Sequence, residues 1–455
     1  MSITGLLFLL CFLPIALAVY HIANDNVRNY VLLIISLVFY SVGDPGFFLK
    51  FVVIVLITVM IGRIVDKCCI LPVKRLLFVS GVAVNICVLC YYKYAGIKGL
   101  LLPLGISFFT FKSVSYLSDV YTGKADIGNS SPAHDALYLS FFAQIQSGPL
   151  TRYSDSSVVE KEERKELFAD GVWRFMTGFG KKILLADVLA NISTGVFSTQ
   201  ISDLSTLYAW LGSICFSLQL YYDFSGYSDM AIGISEMFGI RCMENFDHPY
   251  MTPSVSRFWR RWHISLSQWF RDYVYIPLGG SKCSPKGRVY FNLLVVWILT
   301  GLWHGLNWNF IVWGLGYFVL IAFERATGLP DKFKNSWQKV IYRIFTLVFI
   351  NCQWVMFNSS DARYGIGYIK KMFIPVFNAT ADMKTVILIK QYYPFIIAAI
   401  VLCFPIATLI NERTGYTRSG KIIKTAEEIV VAALFIWAFS LVSAGLNNPF
   451  EYAIF

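Results

Sequence analysis

The sequence predicts an all-α protein that crosses a membrane many times. Of its 455 residues, 56% are hydrophobic and only 15% are charged, whereas soluble proteins carry about 25% charged residues. So few charges cannot cover the surfaces of the roughly three soluble domains that this length would otherwise suggest. A disordered chain is also excluded, because disorder needs low hydrophobicity and high net charge. Lipid is therefore expected to be the main solvent.

Long apolar runs recur along the chain, each close to the length that a helix needs to cross a bilayer. Ten runs are clear: Gly5–Tyr20, Tyr30–Val42, Phe47–Ile61, Leu76–Tyr92, Leu207–Tyr222, Val289–Trp303, Phe310–Phe323, Ile341–Phe357, Tyr393–Ile410 and Ile429–Ala444. Two more, Leu100–Leu117 and Ala136–Leu150, carry more polar atoms. We predict roughly nine to eleven crossing helices. No basic residue precedes the first run, so a transmembrane helix is preferred there to a signal peptide.

Lysine and arginine gather between the apolar runs, and the net charge is +11. The main clusters are Arg63–Arg75, Arg257–Arg288, Arg325–Arg343 and Arg413–Lys424. Because basic loops stay in the cytoplasm, we predict a multi-pass protein of the inner or cytoplasmic membrane with both termini outside. Nucleic-acid binding is not expected, since the basic residues border apolar spans.

The chain shows no long linker and no low-complexity tract, which predicts a single membrane-integral domain. We expect N-terminal helices over residues 1–121, a catalytic core with interfacial helices over 122–325, and C-terminal helices over 326–455. The two halves show no repeat of the kind that many transporter folds contain. A metal site is not expected, because the five histidines are isolated from acidic clusters.

The clearest amphipathic segment is Ser256–Ile276. Aromatic and apolar residues recur there every three or four positions, with arginines between them: Trp259, His263, Leu266, Phe270 and Tyr273, and Arg257, Arg260, Arg261 and Arg271. This pattern predicts one helix lying in the plane of the cytoplasmic interface. Two roles are open for the arginines, which either anchor the helix to lipid headgroups or meet an anionic donor or carrier protein.

Ionisable residues at membrane depth are candidates for function. His304 follows an apolar run inside the sequence Gly301–Gly305 and has Trp303 as its neighbour. A dry, crowded site disfavours the charged imidazole and keeps the neutral ring available as a base. A packed histidine bonded to a nearby carbonyl is the structural alternative.

Two further polar positions stand out in apolar surroundings. Asp223 follows Tyr222 at the end of a spanning run, where it is expected to orient a partner or to cap a second helix. Gln144 precedes the Gly148–Pro149 break, which is consistent with a re-entrant loop that is buried or lines a cavity. Phosphate-binding, zinc-protease and serine-hydrolase motifs are absent from the sequence.

Several long motifs, taken in order, resemble the bacterial membrane-bound O-acyltransferases. They are Leu102–Phe111, Gln144–Pro149, Tyr222–Asp229, Glu244–Phe246, Phe258–Ser267, Tyr275–Gly280, Leu299–Gly305, Trp308–Asn309 and Asn448–Phe450. They extend over almost the whole chain. The pattern is most similar to the branch that O-acetylates alginate, and more distantly to the branch that D-alanylates teichoic acid. One departure is Ala143, where that first branch would have proline.

The resemblance implies a fold with re-entrant and interfacial helices around a central tunnel. It implies that His304 and His263 are the catalytic histidines, with His304 as the general base and His263 nearer the cytoplasm. Pocket or substrate-positioning candidates are Trp303, Asn309, Asp223, Tyr222, Gln144 and Asn245, of which Trp303 and Asn309 are considered as oxyanion donors. The donor-side basic surface comprises Arg257, Arg260, Arg261 and Arg271.

The expected activity is the transfer of an acyl group, with acetyl preferred, from a cytoplasmic thioester to an extracytoplasmic hydroxyl. The donor is acetyl-CoA or an acyl carrier protein, and no permanently bound cofactor is expected. The acceptor is a surface polysaccharide, or an esterase-like protein that relays the acetyl group. The alternatives are D-alanyl transfer to a cell-wall polymer, and a membrane scaffold or transporter within an acetylation complex.

Overall fold

The computed structural model describes residues 1–97, 101–125, 127–128, 130–156, 163–285, 287–374, 382–406, 409–410 and 417–450. These residues contain helices and no β-strand. Leu100, Lys286, residues 407–408 and residues 413–416 belong to predicted segments but lie outside the described residues.

Seventeen α-helices are described, in the following order: α1 Leu13–Ile22, α2 Arg28–Gly43, α3 Phe48–Lys67, α4 Leu71–Tyr94, α5 Ile106–Thr122, α6 Pro132–Ser140, α7 Arg164–Gly180, α8 Asp187–Phe197, α9 Thr206–Met237, α10 Val255–Phe258, α11 Ile264–Phe270, α12 Arg288–His304, α13 Trp308–Thr327, α14 Ser336–Asn358, α15 Ala362–Phe373, α16 Met383–Val401 and α17 Arg418–Ser443. Three π-helical segments, Phe8–Phe12, Lys181–Ala186 and Arg271–Tyr275, adjoin α1, α8 and α11.

The predicted all-α polytopic membrane fold is confirmed. By length and composition, six helices of the described chain can cross a membrane, namely α3, α4, α13, α14, α16 and α17. Two shorter apolar helices cover residues 8–22 and 28–43. The predicted runs in α9 and α12 fall outside this set of six; α12 has only 17 residues, and α9 carries buried polar side chains along its length.

The helices group into two compact units. The first comprises Met1–Phe179, Tyr227–Glu244 and Phe439–Leu446, and the second comprises Gly180–Gly226, Asn245–Ala438 and Asn447–Phe455. In the first unit a buried carboxylate joins three helical segments. Asp135 accepts hydrogen bonds from Arg63 Nε at 2.7 Å and from the Tyr153 hydroxyl at 2.7 Å. Such pairing is required because an unpaired buried charge is strongly destabilising.

The segment around Gln144 has the irregular backbone that the Gly148–Pro149 break predicts. Residues 142–147 form turns instead of a helix, and all of them except Gln146 are buried. The loop packs against the start of α5, where Gly105 takes a left-handed conformation with φ +65°. A Cβ atom on Gly105 would lie 2.0 Å from the Ile145 carbonyl oxygen. Only glycine therefore fits this position without moving the loop.

Two sequence predictions about helix boundaries are wrong. Asp223 was expected at a helix end, but α9 continues through it without a break. Helix continuation is possible because Lys182 Nζ lies 2.6 Å from the Asp223 carboxylate and neutralises it. Ser256–Ile276 was expected to be one helix, but it divides into α10, α11 and the π-helical segment Arg271–Tyr275. The division occurs because His263 adopts a left-handed backbone, with φ 43° and ψ 54°.

The Gly105 packing yields a stability prediction. Gly105→Ala should destabilise the protein by more than Gly123→Ala, although both residues have positive φ. Each substitution incurs about 1–2 kcal/mol of left-handed backbone strain. Gly105→Ala adds a backbone clash, whereas a Cβ on Gly123 meets nothing within 4 Å among the described residues. Thermal melting of the detergent-purified variants, followed by size-exclusion chromatography, measures the difference. Equal melting temperatures would contradict the packing.

Candidate active site

His304 lies at the end of α12, where the chain turns into α13. The two helices approach closely because glycines replace side chains at their contact. A Cβ on Gly301 would lie 2.7 Å from the Phe310 carbonyl oxygen, and one on Gly314 would lie 2.6 Å from the Trp297 carbonyl oxygen. The Gly301–Gly305 motif thus permits backbone contact. This contact brings residues of α13 beside His304.

Aromatic rings surround the His304 imidazole, which is 5% exposed. The ring centroids of Trp303, Phe357 and Trp313 lie 4.5, 4.9 and 5.2 Å from it. Phe310 is stacked at 6.2 Å. These rings limit the access of water to the imidazole.

Asn309 has a different role from the oxyanion donor considered from the sequence. Its Nδ2 atom donates to the carbonyl oxygens of Met356, Phe357 and Ser359 at 3.5, 3.4 and 2.8 Å. These carbonyls are at the C-terminal end of α14, where they need partners. Its amide protons are therefore engaged, and Asn309 fixes the turn that carries Phe357 beside His304.

Trp313 supplies a buried donor that sequence reasoning did not assign. Its Nε1 atom is buried and has no hydrogen-bond partner among the described residues. Its ring contacts the His304 ring edge to face. The density of tryptophans around His304 was the only signal for this group in the sequence.

His263 is a neutral, buried histidine at the junction of α10 and α11. Its Nδ1 lies 3.1 Å from Asn245 Oδ1, which also accepts from the backbone N–H of Ser265 at 3.2 Å. Since a backbone N–H can only donate, this Asn245 atom is the oxygen, and His263 Nδ1 carries the proton. The Phe224 ring packs edge-on at 4.6 Å. Burial lowers the pKa of His263 to about 3.

A cavity of about 560 Å³ brings together three of the four predicted donor-side arginines. Arg257, Arg260 and Arg271 line it together with Arg325. The walls also include aromatic side chains: Trp259, Phe270, Tyr275 and Trp297. Arg261 does not line the cavity; its Nε lies 3.7 Å from Asp247 Oδ2. Glu324 and Asp331 also line the cavity, and Asp331 lies 2.7 Å from Arg257. The cavity therefore combines guanidinium groups and ring surfaces, with part of the positive charge offset by carboxylates.

Glu324 holds the start of α10 in place at the edge of this cavity. The buried carboxylate accepts from the backbone N–H groups of Val255 and Ser256, both at 2.8 Å, and from the Tyr342 hydroxyl at 3.0 Å. An anion suits this position because the first N–H groups of a helix lack partners. Sequence reasoning missed this residue, although it is an acidic side chain at the end of an apolar run.

One face of α12 connects the cavity wall to His304. Leu293, Val296, Trp297 and Thr300 line the cavity. His304 is four residues beyond Thr300, so it continues the same helix face. A second connection runs through rings, because Trp313 lies 6.1 Å from Trp297 and 5.2 Å from His304. Neither His304 nor His263 is itself a lining residue.

The other predicted pocket residues belong to separate networks. The Tyr222 hydroxyl donates to the Ala399 carbonyl oxygen at 2.6 Å. Asp223 pairs with Lys182, which also bonds Asp187 at 2.7 Å. In the first unit, Gln144 Oε1 accepts from Lys112 Nζ at 2.8 Å. The structure therefore groups Trp303 and Asn309 around His304, and Asn245 around His263.

Comparison with known proteins decides the family. A profile of MBOAT, the membrane-bound O-acyltransferase family, matches residues 104–360. This range includes His263, His304, Asn309 and all four arginines of the predicted donor-side surface.

The chain belongs to this family.

Individual relatives support the same family for this membrane-bound O-acyltransferase. The chain is 38% identical to the "probable alginate O-acetylase AlgI" of Pseudomonas aeruginosa over 394 residues, which are 80% of this chain and 74% of the relative. It is 31% identical to the peptidoglycan O-acetyltransferase of Helicobacter pylori, over 80% of this chain and 78% of that protein. The teichoic acid D-alanyltransferase of Bacillus subtilis is 30% identical over 54% of this chain and 66% of that protein. The predicted enzyme class, an O-acyltransferase, is confirmed.

The buried His263 makes the stability of this O-acyltransferase depend on pH. Folded His263 stays neutral, whereas in the unfolded chain it binds a proton below its ordinary pKa of 6.5. Stability is thus fully present above pH 6.5 and is lost as the pH falls towards 3. This group should lower the free energy of unfolding by about 2 kcal/mol between about pH 7 and about pH 5.

The variant His263→Asn tests this dependence, since asparagine tolerates the left-handed backbone and does not titrate. Denaturant unfolding at the two pH values should show a smaller loss for His263→Asn than for the wild type. His21→Asn, at an exposed residue, serves as the control and should keep the wild-type dependence. An unchanged dependence in His263→Asn would rule out the assigned protonation state.

Proposed function

We propose that the protein transfers an acetyl group from a cytoplasmic thioester to a hydroxyl outside the membrane. Acetyl is favoured because two O-acetylating relatives align over 80% of this chain, and the D-alanyltransferase aligns over 54%. The acceptor is a polysaccharide hydroxyl, or the serine of an esterase-like relay protein. The cytoplasmic origin of the donor is supported by the basic residues around the arginine cavity, which also favours both termini outside.

The arginine cavity is the proposed entrance for the donor. Arg257, Arg260, Arg271 and Arg325 line it, and guanidinium groups match phosphate oxygens. Arg257 pairs with Asp331 and Arg271 with Asp272, so a phosphate would share these two arginines with the carboxylates. Phosphate is common to coenzyme A and to the prosthetic arm of an acyl carrier protein, so this chemistry serves either donor. The volume of about 560 Å³ is within the range of about 300–1,000 Å³ that ligand sites have.

The observation that carries the proposal is the continuous face of α12 between this cavity and His304. A thioester whose phosphates are held by the arginines extends its acyl end along Trp297 and Thr300. The next position on that face is His304. Aromatic walls there exclude the water that would hydrolyse the donor.

The proposed reaction is general base catalysis at His304. The imidazole takes the proton of the acceptor hydroxyl as its oxygen attacks the carbonyl carbon of the thioester. The tetrahedral intermediate collapses, the C–S bond breaks, and the thiolate takes the proton from the imidazolium. The Trp313 indole N–H is the proposed oxyanion donor. His263 acts as a positioning residue, because it joins α10 and α11, which carry Arg257, Leu266 and Phe270 of the cavity.

Replacement of the base tests the chemical step. His304→Gln should lower the turnover number by at least about 100-fold, since general base catalysis contributes about 10²–10⁴-fold. The measurement is transfer of labelled acetyl from the thioester to the acceptor by the purified, reconstituted protein. His21→Gln, at an exposed histidine, is the control. Wild-type turnover by a folded His304→Gln protein would eliminate the assignment, and transfer by the purified wild type excludes a scaffold role.

Removal of the cavity arginines tests donor binding. Arg260→Ala should raise the KM for the donor about tenfold or more, since a hydrogen bond to a charged group contributes about 1.5–3 kcal/mol. The turnover number should change little. Arg261→Ala is the matched control, because this neighbouring arginine does not line the cavity. Equal effects of the two substitutions on the KM would contradict the donor site.

A further inference from the structure

The second unit contains another cavity, of about 390 Å³, built around buried charges. Lys182, Asp187 and Asp223 line it, and their exposed fractions are 2%, 4% and 1%. Lys182 Nζ lies 2.7 Å from Asp187 Oδ1 and 2.6 Å from Asp223 Oδ1. One lysine thus faces two carboxylates, and the floor of the cavity is built of charged groups whose carboxylate oxygens are hydrogen-bond acceptors.

The mouth of this cavity is polar and open. Asn191, Thr194 and Gly195 line it and are exposed. An amide and a hydroxyl at an exposed rim indicate contact with water instead of with hydrocarbon. Gln219 adds a second amide deeper in the wall, where it is 5% exposed. The cavity therefore resembles a water-filled pocket with a charged floor.

One wall is formed by the segment Asn448–Phe450, which is fixed to the triad. The backbone N–H of Asn448 donates to Asp187 Oδ2 at 3.1 Å, and Lys182 Nζ donates to the Pro449 carbonyl oxygen at 3.2 Å. The Phe450 ring lies 4.8 Å from Lys182 Nζ. Asn448 and Pro449 line the cavity and Phe450 does not, so this segment supplies a polar wall and its Phe450 ring packs against the lysine.

The chemistry of the lining selects among ligands. Two carboxylates repel a phosphate or a carboxylate, so the anionic donor belongs to the arginine cavity, which shares no lining residue with this one. A resident metal ion is disfavoured, because Lys182 occupies the carboxylates and the described residues hold no group of three metal-binding side chains. Carboxylates that accept and amides that both donate and accept match hydroxyl groups, which do both.

We propose that this pocket binds the vicinal hydroxyls of a saccharide and is the acceptor subsite of the enzyme. The inference rests on the proposed acetyl transfer, whose acceptor it specifies as a carbohydrate. The volume fits a ligand site. The pocket is also connected to the donor side through α9, because Phe224, the residue after Asp223, contacts the His263 ring at 4.6 Å.

A pair of glycines allows the pocket to be filled without disturbing the fold. Gly195 lines the mouth, and Gly180 does not line the pocket. A Cβ at either position meets nothing within 4 Å among the described residues; Gly195 is in α8 and Gly180 is the last residue of α7. Gly195→Phe therefore places a ring in the mouth, and Gly180→Phe is its matched control.

The first measurement is acetyl transfer from labelled acetyl thioester to a soluble hexose tetrasaccharide by the reconstituted protein. Gly195→Phe should raise the KM for the tetrasaccharide about tenfold or more and leave the KM for the thioester unchanged. Gly180→Phe should keep both values. Equal KM values for the tetrasaccharide in the two variants, or a matching rise in the KM for the thioester, would overturn the subsite.

The second measurement detects binding of the tetrasaccharide directly and does not depend on turnover. Saturation-transfer NMR detects tetrasaccharide bound to His304→Ala protein, which lacks the proposed base. Binding should persist in His304→Ala and disappear when Gly195→Phe or Asp187→Asn is added. Absence of tetrasaccharide binding overturns the subsite. This is the result expected if a serine of a relay protein is the acceptor. Binding without any transfer by the wild type contradicts the proposed function and leaves the pocket supported.

Discussion

The backbone contact between α12 and α13 is the constraint on which the candidate active site depends. Gly301 and Gly314 let a carbonyl of each facing helix approach to within about 2.7 Å of where a side chain would begin. This approach sets Trp313 against the His304 ring and against Trp297 at the cavity. Any side chain at either glycine would separate His304 from Trp313 and from the Trp297 wall of the cavity.

A second constraint is that each buried charge needs a partner inside a low-dielectric interior. Glu324 meets this need by accepting hydrogen bonds from two backbone N–H groups and a tyrosine hydroxyl, and these bonds fix the position of α10. Lys182 meets it with two carboxylates, which joins α8 to α9. Asp135 does the same in the first unit through Arg63. The charges that look most costly in the sequence are therefore the ones that fix helix positions.

The fold class and His304 follow from local features of the sequence. Composition and the length of apolar runs predict a helical membrane protein, and the glycines beside His304 predict a close helix contact. The local sequence around Asp223 does not indicate Lys182 as its partner, because the two residues are 41 positions apart and meet only in the folded chain. For the same reason the local pattern indicates a helix end at Asp223, and it leaves Asn309 open as an oxyanion donor, whereas the Asn309 amide supports the end of α14. The left-handed His263 was hidden by a regular amphipathic pattern, since the Asn245 side chain that stabilises the turn lies outside that segment.

The absence of a shared lining residue between the two cavities has an evolutionary consequence. Under the proposed assignment of donor and acceptor sites, substitutions around the arginine cavity change the thioester without touching any group of the Lys182 pocket. Substitutions around Asn191 and Thr194 likewise change the polymer. A lineage of enzymes with this arrangement is thus free to diversify its surface chemistry one substrate at a time while it retains His304.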